Sequence, residues 1–214
     1  MMKAVRIHSF GGADTLVYED APLPTLGPGD ALVRVAAAGV NPVDWKVREG
    51  YLEEVLPHTL PLIPGWDLCG VVEAVGADVT EVQVGDAVFA DAEIARDGAY
   101  AEYIAVKAAL LAPQPKTLSP VEAASLPIAA LTAWQCLFET ANLQSGQTVL
   151  IHAAAGGVGS LAVQFAKWKG ARVIGTASTR NHEFLRGLGA DDLIDYTAAH
   201  FDEVVRDVDV VFDT

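Results

Sequence analysis

The chain has 214 residues, 51% of them hydrophobic and 20% charged, which fits a folded globular core and excludes a disordered segment. That length holds one large domain or two small ones. A formal charge of −14, with no basic run anywhere, excludes a nucleic-acid binder, because polyphosphate binding needs clustered Lys and Arg.

In chain order, the first part reads as β structure. Lys3 to His8 alternates, Leu16 to Glu19 is a short strand, and Pro22, Pro24, Gly27, Pro28 and Gly29 punctuate a loop. Ala31 to Ala38 is the next strand, with Val33 and Val35 on one face. Asn41 as N-cap, Pro42 at the first helical position and Gly50 just past the end predict a short helix. Strands are expected at Leu68 to Val75, Ala87 to Ala90 and Ala99 to Val106, a spacing that suggests a small barrel or sandwich. At Ser119 the character changes. Ser119-Pro120-Val121-Glu122 is a capping-box start, and the Ala- and Leu-rich run to Leu143 is helical with a break at Pro127.

The stretch from Thr148 to Arg180 is a βαβ unit. Val149-Leu150-Ile151 is an apolar run suited to a strand buried on both faces. Val158, Leu161, Ala162, Phe165 and Ala166 recur at helical spacing, Gly170 stops the helix, and Arg172 to Gly175 opens the next strand. Between strand and helix lies Ala153-Ala154-Ala155-Gly156-Gly157-Val158-Gly159, which gives Ala154-x-Gly156-x-x-Gly159 against the dinucleotide fingerprint G-x-G-x-x-G. Small residues are required there because pyrophosphate must approach backbone N–H groups at a helix N-terminus. An NAD site wants an acid about 20 residues past the turn to hold the ribose 2′-hydroxyl. No acid occurs from Ala171 to His182, whereas Ser178 and Arg180 suit a 2′-phosphate. NADP(H) is therefore the expected cofactor, although Arg180 also fits the start of an exposed helix. Beyond it, Phe184, Leu185 and Leu188 mark a helix ending at Gly189, and strands follow at Leu193 to Tyr196 and Val208 to Phe212. The sheet order 3-2-1-4 is expected, with strand 4 an unpaired apolar edge. The chain is expected to be a fragment of a longer enzyme, poorly soluble and weakly active when made alone.

Cys69 and Cys136 are isolated, which suits a reduced compartment. No apolar run is long enough to span a bilayer, and the opening MMKAVRIHSF lacks the layout of a secretory signal. A soluble, cytoplasmic protein without a membrane partner is expected.

Taken together, these motifs resemble the medium-chain dehydrogenase/reductase superfamily, and more narrowly its zinc-independent, zeta-crystallin-like quinone oxidoreductase branch. The matching stretches are Ala38 to Asp44, Pro64-Gly65-Trp66-Asp67 with Gly70-Val71-Val72, Val84 to Val88, Leu131-Thr132-Ala133-Trp134 and Ala153 to Gly159. The resemblance implies a GroES-like β-barrel catalytic domain over 1–118 and a Rossmann domain, its first half only, over 119–214. It implies hydride transfer from NADPH to a quinone or an α,β-unsaturated carbonyl. No metal site is expected, since Asn41 and Trp66 stand where zinc-dependent relatives have ligands and the cysteine-rich lobe is absent after Phe89.

Without a metal, a developing oxyanion needs hydrogen-bond donors, for which Asn41, Tyr51 and backbone N–H groups are candidates, with Tyr51 or water delivering the proton. Asn41 and Asp44 fit a purely capping role equally, and Tyr51 a packing one. By resemblance Thr132 approaches the nicotinamide, Ala155, Gly156, Gly157, Val158 and Gly159 form the pyrophosphate turn, and Ser178, Arg180 and Tyr196 surround the 2′-phosphate. The full-length form is expected to be a homodimer. Two other functions are compatible with the sequence: a non-catalytic NADPH-binding sensor or scaffold, and an acyl-thioester enoyl reductase.

Overall fold

In the first strand, β1 (Met2–Ile7), Met2 and Ala4 are buried on one face, and Ile7, of opposite parity, is buried in a separate cluster. It pairs antiparallel with β2 (Leu16–Ala21), Met2 opposite Ala21 and Ile7 opposite Leu16. Then come β3 (Asp30–Ala38), α1 (Pro42–Arg48), β4 (Asp67–Val75), β5 (Ala87–Asp91), β6 (Tyr103–Lys107) and the short β7 (Ala112–Pro113). These strands form an antiparallel five-stranded sheet in the order β6-β3-β4-β5-β7. Its core holds Val33, Trp66, Leu68, Val72 and Ile104, with the Trp66 Nε1–H donating to the Arg96 carbonyl at 3.0 Å so that no polar atom is stranded.

The strand expected over 99–106 begins only at Tyr103. The backbone N–H groups of Gly98, Ala99 and Tyr100 go instead to the carbonyls of Ile63, Gly65 and Pro64, at 2.6, 2.5 and 3.1 Å. Segment 99–102 thus fastens a loop. It also joins β1 to β3, with the Glu102 N–H donating to Lys3 O and the Val35 N–H to Glu102 O.

The helical passage follows its caps. Ser119 Oγ accepts from the Glu122 N–H and the Glu122 carboxylate accepts from the Ser119 N–H, which starts α2 (Pro120–Ala124). The break at Pro127 is present, and α3 (Pro127–Trp134) continues into a π-helical turn over Gln135–Thr140.

After it come β8 (Thr148–Ile151), α4 (Gly157–Lys169), β9 (Arg172–Thr176), α5 (His182–Gly187), β10 (Asp192–Ile194), α6 (Phe201–Val204) and β11 (Val210–Phe212). The strands form a parallel sheet in the order β10-β9-β8-β11, which is 3-2-1-4 in strand sequence. Val149, Leu150 and Ile151 are all buried, as a central parallel strand requires. β10 ends at Ile194 rather than Tyr196, because the Asp195 carboxylate turns the chain by accepting from the Thr197 N–H and hydroxyl at 2.8 and 2.6 Å. β11 starts at Val210 rather than Val208: Asp207 takes a positive φ of 56°, and Asp209 binds Thr148 through both its carboxylate and its N–H. The structure is a computed structural model describing residues 1–213. It divides into two compact units, Met1–Ile128 and Ala129–Thr214.

Candidate functional site

Two sites emerge, one in each unit. The first lies where β8 turns into α4. Ala153 adopts the left-handed region (φ 45°), which brings the chain around so that the Ala154 N–H reaches the Thr176 carbonyl of β9 at 3.0 Å. Gly156 is the N-cap of α4, and the first turn is Gly157, Val158, Gly159. A Cβ on Gly159 would stand 2.4 Å from Ala153 O and 2.8 Å from Ala154 Cα, so only glycine lets the helix sit this close to the turn. Gly157 has nothing within 4 Å of where its Cβ would be, so its side is open. An open helix N-terminus with unpaired N–H groups favours an anion.

A groove of ≈ 560 Å³ runs from this turn along the carboxyl ends of β8, β9 and β10. It takes in Ala155 and Gly156 at one end and Ser178, Arg180 and Tyr196 at the other. Among the described residues no carboxylate lines it. Of the expected cofactor residues, Thr132 is exposed on α3 and does not line the groove, and neither do Gly157, Val158 and Gly159. The groove also contains residues that no motif flagged: His152, whose Nδ1 lies 3.2 Å from Thr176 Oγ1, together with Asn181 and Phe201. Phe201 meets the His152 ring edge-on at 4.6 Å between centroids.

The second site is a pocket of ≈ 270 Å³ lined by Leu16, Val40, Asn41, Asp44, Trp45 and Tyr100, among others. Asn41 caps α1, but the bond that makes the cap runs from its N–H to Asp44 Oδ2 at 2.6 Å. The Asn41 amide instead donates to Asp67 Oδ2 at 2.8 Å, which leaves its second N–H uncommitted. Asp44 Oδ2 also accepts from the Tyr100 hydroxyl at 2.8 Å, while its buried Oδ1 has no partner. Asp67 Oδ1 takes the Ile128 N–H at 2.9 Å. Burial pushes Asp67 up to about 7 and Asp91 up to about 6, and it raises Asp44 as well. Burial and the Asp44 carboxylate together push the Tyr100 hydroxyl up. Tyr51 stands apart from this network. It is 66% exposed and meets Trp45 edge-on at 5.7 Å.

An alcohol dehydrogenase GroES-like domain model matches residues 27–116, and a zinc-binding dehydrogenase model matches 157–214. The structure is similar to that of a quinone oxidoreductase from Coxiella burnetii, at 40% identity and a TM-score of 0.90, covering 99% of this chain and 68% of that one. The chain belongs to the medium-chain dehydrogenase/reductase superfamily, in its quinone oxidoreductase branch. A chloroplastic quinone-oxidoreductase homolog of Spinacia oleracea is 41% identical over 202 residues, 92% of this chain and 61% of the relative. A chloroplastic NADPH-dependent alkenal/one oxidoreductase of Arabidopsis thaliana is 40% identical over 221 residues, 99% and 57% respectively. The chain thus spans about three fifths of these relatives' length.

As a medium-chain dehydrogenase/reductase, the chain has a GroES-like part and a Rossmann-like parallel sheet. Trp66 is fully buried core. Among the described residues no three His, Cys, Asp or Glu side chains are grouped so as to hold a metal ion. Among the described residues no helix is long and apolar enough to cross a membrane. Asp67 and Tyr100, absent from the motif-based candidates, meet Asn41 and Asp44 only through folding, since they lie 26 and 56 residues away along the chain.

Proposed function

We propose that this chain carries the catalytic and dinucleotide-binding parts of an NADPH-dependent reductase acting on a quinone or an α,β-unsaturated carbonyl. The observation that carries it is the groove at the head of α4, whose far end presents Ser178, Arg180 and Tyr196 and, among the described residues, no carboxylate. A 2′-phosphate there meets a guanidinium and hydroxyls, where an acid would repel it. The names of the similar quinone and alkenal/one oxidoreductases support the same assignment.

The residues present fit the cofactor. Gly159 allows the tight turn, Gly156 and Gly157 keep side chains off the helix N-terminus, and Ala155 lines the groove, with Val158 in the first turn of α4. Bound NADPH would supply the hydride. Asn41, with one amide N–H held by Asp67 and the other free, would orient the substrate oxygen through that free donor. Tyr51 is the candidate proton donor at an exposed position, and Asp44 holds α1 and Tyr100 in place around the pocket. Thr132 belongs to this scheme through the family resemblance. So do a homodimeric assembly and the division into a catalytic domain over 1–118 and a cofactor domain from 119. The cytoplasmic location is part of the proposal as well, supported by the unpaired Cys69 and Cys136.

NADPH oxidation with a panel of quinones and enones, run beside a binding titration, tests the proposal. Turnover with either class at a rate that depends on Asn41 is expected. NADPH binding without turnover of any acceptor would mark a sensor or scaffold instead.

A further inference from the structure

Three residues proposed to face the 2′-phosphate come from two loops with no covalent link near the site. Ser178 and Arg180 follow β9, and Tyr196 follows β10. Paired strands alone do not fix such loops, since the ladder ends with the Ala177 N–H donating to Ile194 O at 3.0 Å. Beyond that point one side chain joins them. Asp195 Oδ2 accepts from the Thr179 N–H at 3.0 Å and from the Thr179 hydroxyl, and Oδ1 accepts from the Thr197 N–H at 2.8 Å and its hydroxyl at 2.6 Å. Thr179 sits between Ser178 and Arg180, and Thr197 follows Tyr196 directly, so each anchor is one residue from a proposed phosphate contact.

We propose that Asp195 is a positioning residue, which ties the loop after β9 to the loop after β10 and so holds Ser178, Arg180 and Tyr196 at the spacing a 2′-phosphate requires. This rests on the NADP(H) assignment above. It also settles an apparent conflict in the charges, because a carboxylate near the 2′ position would ordinarily favour NADH by repelling the phosphate. Here both oxygens are spent on four donors of the protein, which also hold this carboxyl well below the usual range, the Thr179 hydroxyl foremost. An amide cannot replace it, since one of its two polar atoms donates and would oppose a backbone N–H.

The test measures dissociation constants of the full chain for NADPH and NADH, with Asp195→Asn, Asp195→Ala, Thr179→Val, Thr179→Ser and Arg180→Ala. Losing charged hydrogen bonds should weaken NADPH by about tenfold or more in both Asp195 variants, with NADH within about twofold. Thr179→Val should move the same way, and Thr179→Ser, which keeps the hydroxyl, should restore binding. Unchanged or tighter NADPH binding by Asp195→Asn would overturn the proposal, the second outcome showing a repelling charge rather than a tie. Equal loss for both cofactors, or a lower melting temperature with the preference intact, would reduce Asp195 to a structural role and overturn it too. If the unmodified chain prefers NADPH and Arg180→Ala abolishes that preference, these failures concern Asp195 alone. If the unmodified chain binds both cofactors equally, the NADP(H) assignment itself fails and this proposal goes with it.

Discussion

Arg180 lies exposed at the edge of the groove, where its guanidinium can reach a 2′-phosphate without first breaking a buried contact. A hydrogen bond to a charged group contributes about 1.5–3 kcal/mol, so Arg180→Ala should weaken NADPH by roughly 10- to 150-fold and leave NADH nearly unchanged. Titration of both cofactors checks this, and equal affinities in the unmodified protein would contradict it. Asp67 allows a second prediction. Its carboxyl titrates near 7 in the folded chain and near 3.9 when unfolded, so the folded state holds this proton more tightly. The stabilisation from that proton is full below about pH 4, is lost as pH rises toward 7, and levels off above it. The slope is at most about 1.4 kcal/mol per pH unit. Asp67→Asn should therefore narrow the gap in urea stability between pH 5 and pH 8, with Asp91 keeping a remainder. An identical gap in both proteins would refute the assignment. That Ser178 and Arg180 follow the second strand of the βαβ unit was legible in the sequence, while Tyr196 came with the family resemblance; the structure places all three on one groove. Asp67, Tyr100 and Asp195 were not, because each acts on residues that only the folded chain brings near.

At the scale of elements, the join of β8 to α4 depends on one missing side chain. Gly159→Ala would push a methyl into the Ala153 carbonyl and Ala154 Cα, both backbone atoms that cannot swing aside. Overpacking of this kind costs about 1–3 kcal/mol, and the displaced turn should also lose nucleotide affinity. Gly157→Ala two residues earlier meets nothing and should hold or slightly raise stability, since alanine is the better helix former. Thermal melts of the two variants decide it, and equal melting temperatures would show that the turn yields. This contrast follows from a pattern readable in the sequence: an unbroken apolar β8, a small-residue turn and a helix stopped by Gly170, which takes φ 86°. Other boundaries were hidden because side chains or distant loops claim the backbone. Asp195 ends β10, Asp209 delays β11, and the 63–65 loop captures residues 98–100 before β6 can begin. The short α6 and the π turn after α3 leave no periodic trace of their own.

At the scale of the whole molecule, a reductase must stabilise the negative charge that develops on its acceptor, with a metal ion or with hydrogen-bond donors. A zinc site needs about four clustered Cys, His or carboxylate ligands. Among the described residues no three such side chains are grouped, and several are engaged elsewhere. Cys69 is buried in β4, and Cys136 lies exposed in the π turn. His8 pairs with Glu19, and His58 and His182 bond the Ile94 and Ala177 carbonyls. Asp44 and Asp67 are already engaged by Asn41, Tyr100 and Ile128, and Trp66 is a buried indole of the core. One donor remains at the pocket, the second amide hydrogen of Asn41, while the exposed Tyr51 hydroxyl lies outside its lining. Such a pocket suits conjugate reduction, where the oxyanion can be held by neutral donors, better than alcohol oxidation, where an alcohol must first lose its proton. Quinone- or enone-dependent NADPH oxidation should therefore persist in excess chelator, and elemental analysis should find far less than one zinc per chain. Primary alcohols should not reduce NADP⁺ at a comparable rate. Asn41→Ala should lower kcat by roughly 10²-fold or more if its amide is the donor to the oxyanion. Stoichiometric zinc, chelator-sensitive turnover, or an Asn41→Ala variant with unchanged kcat would each place the charge-stabilising group elsewhere.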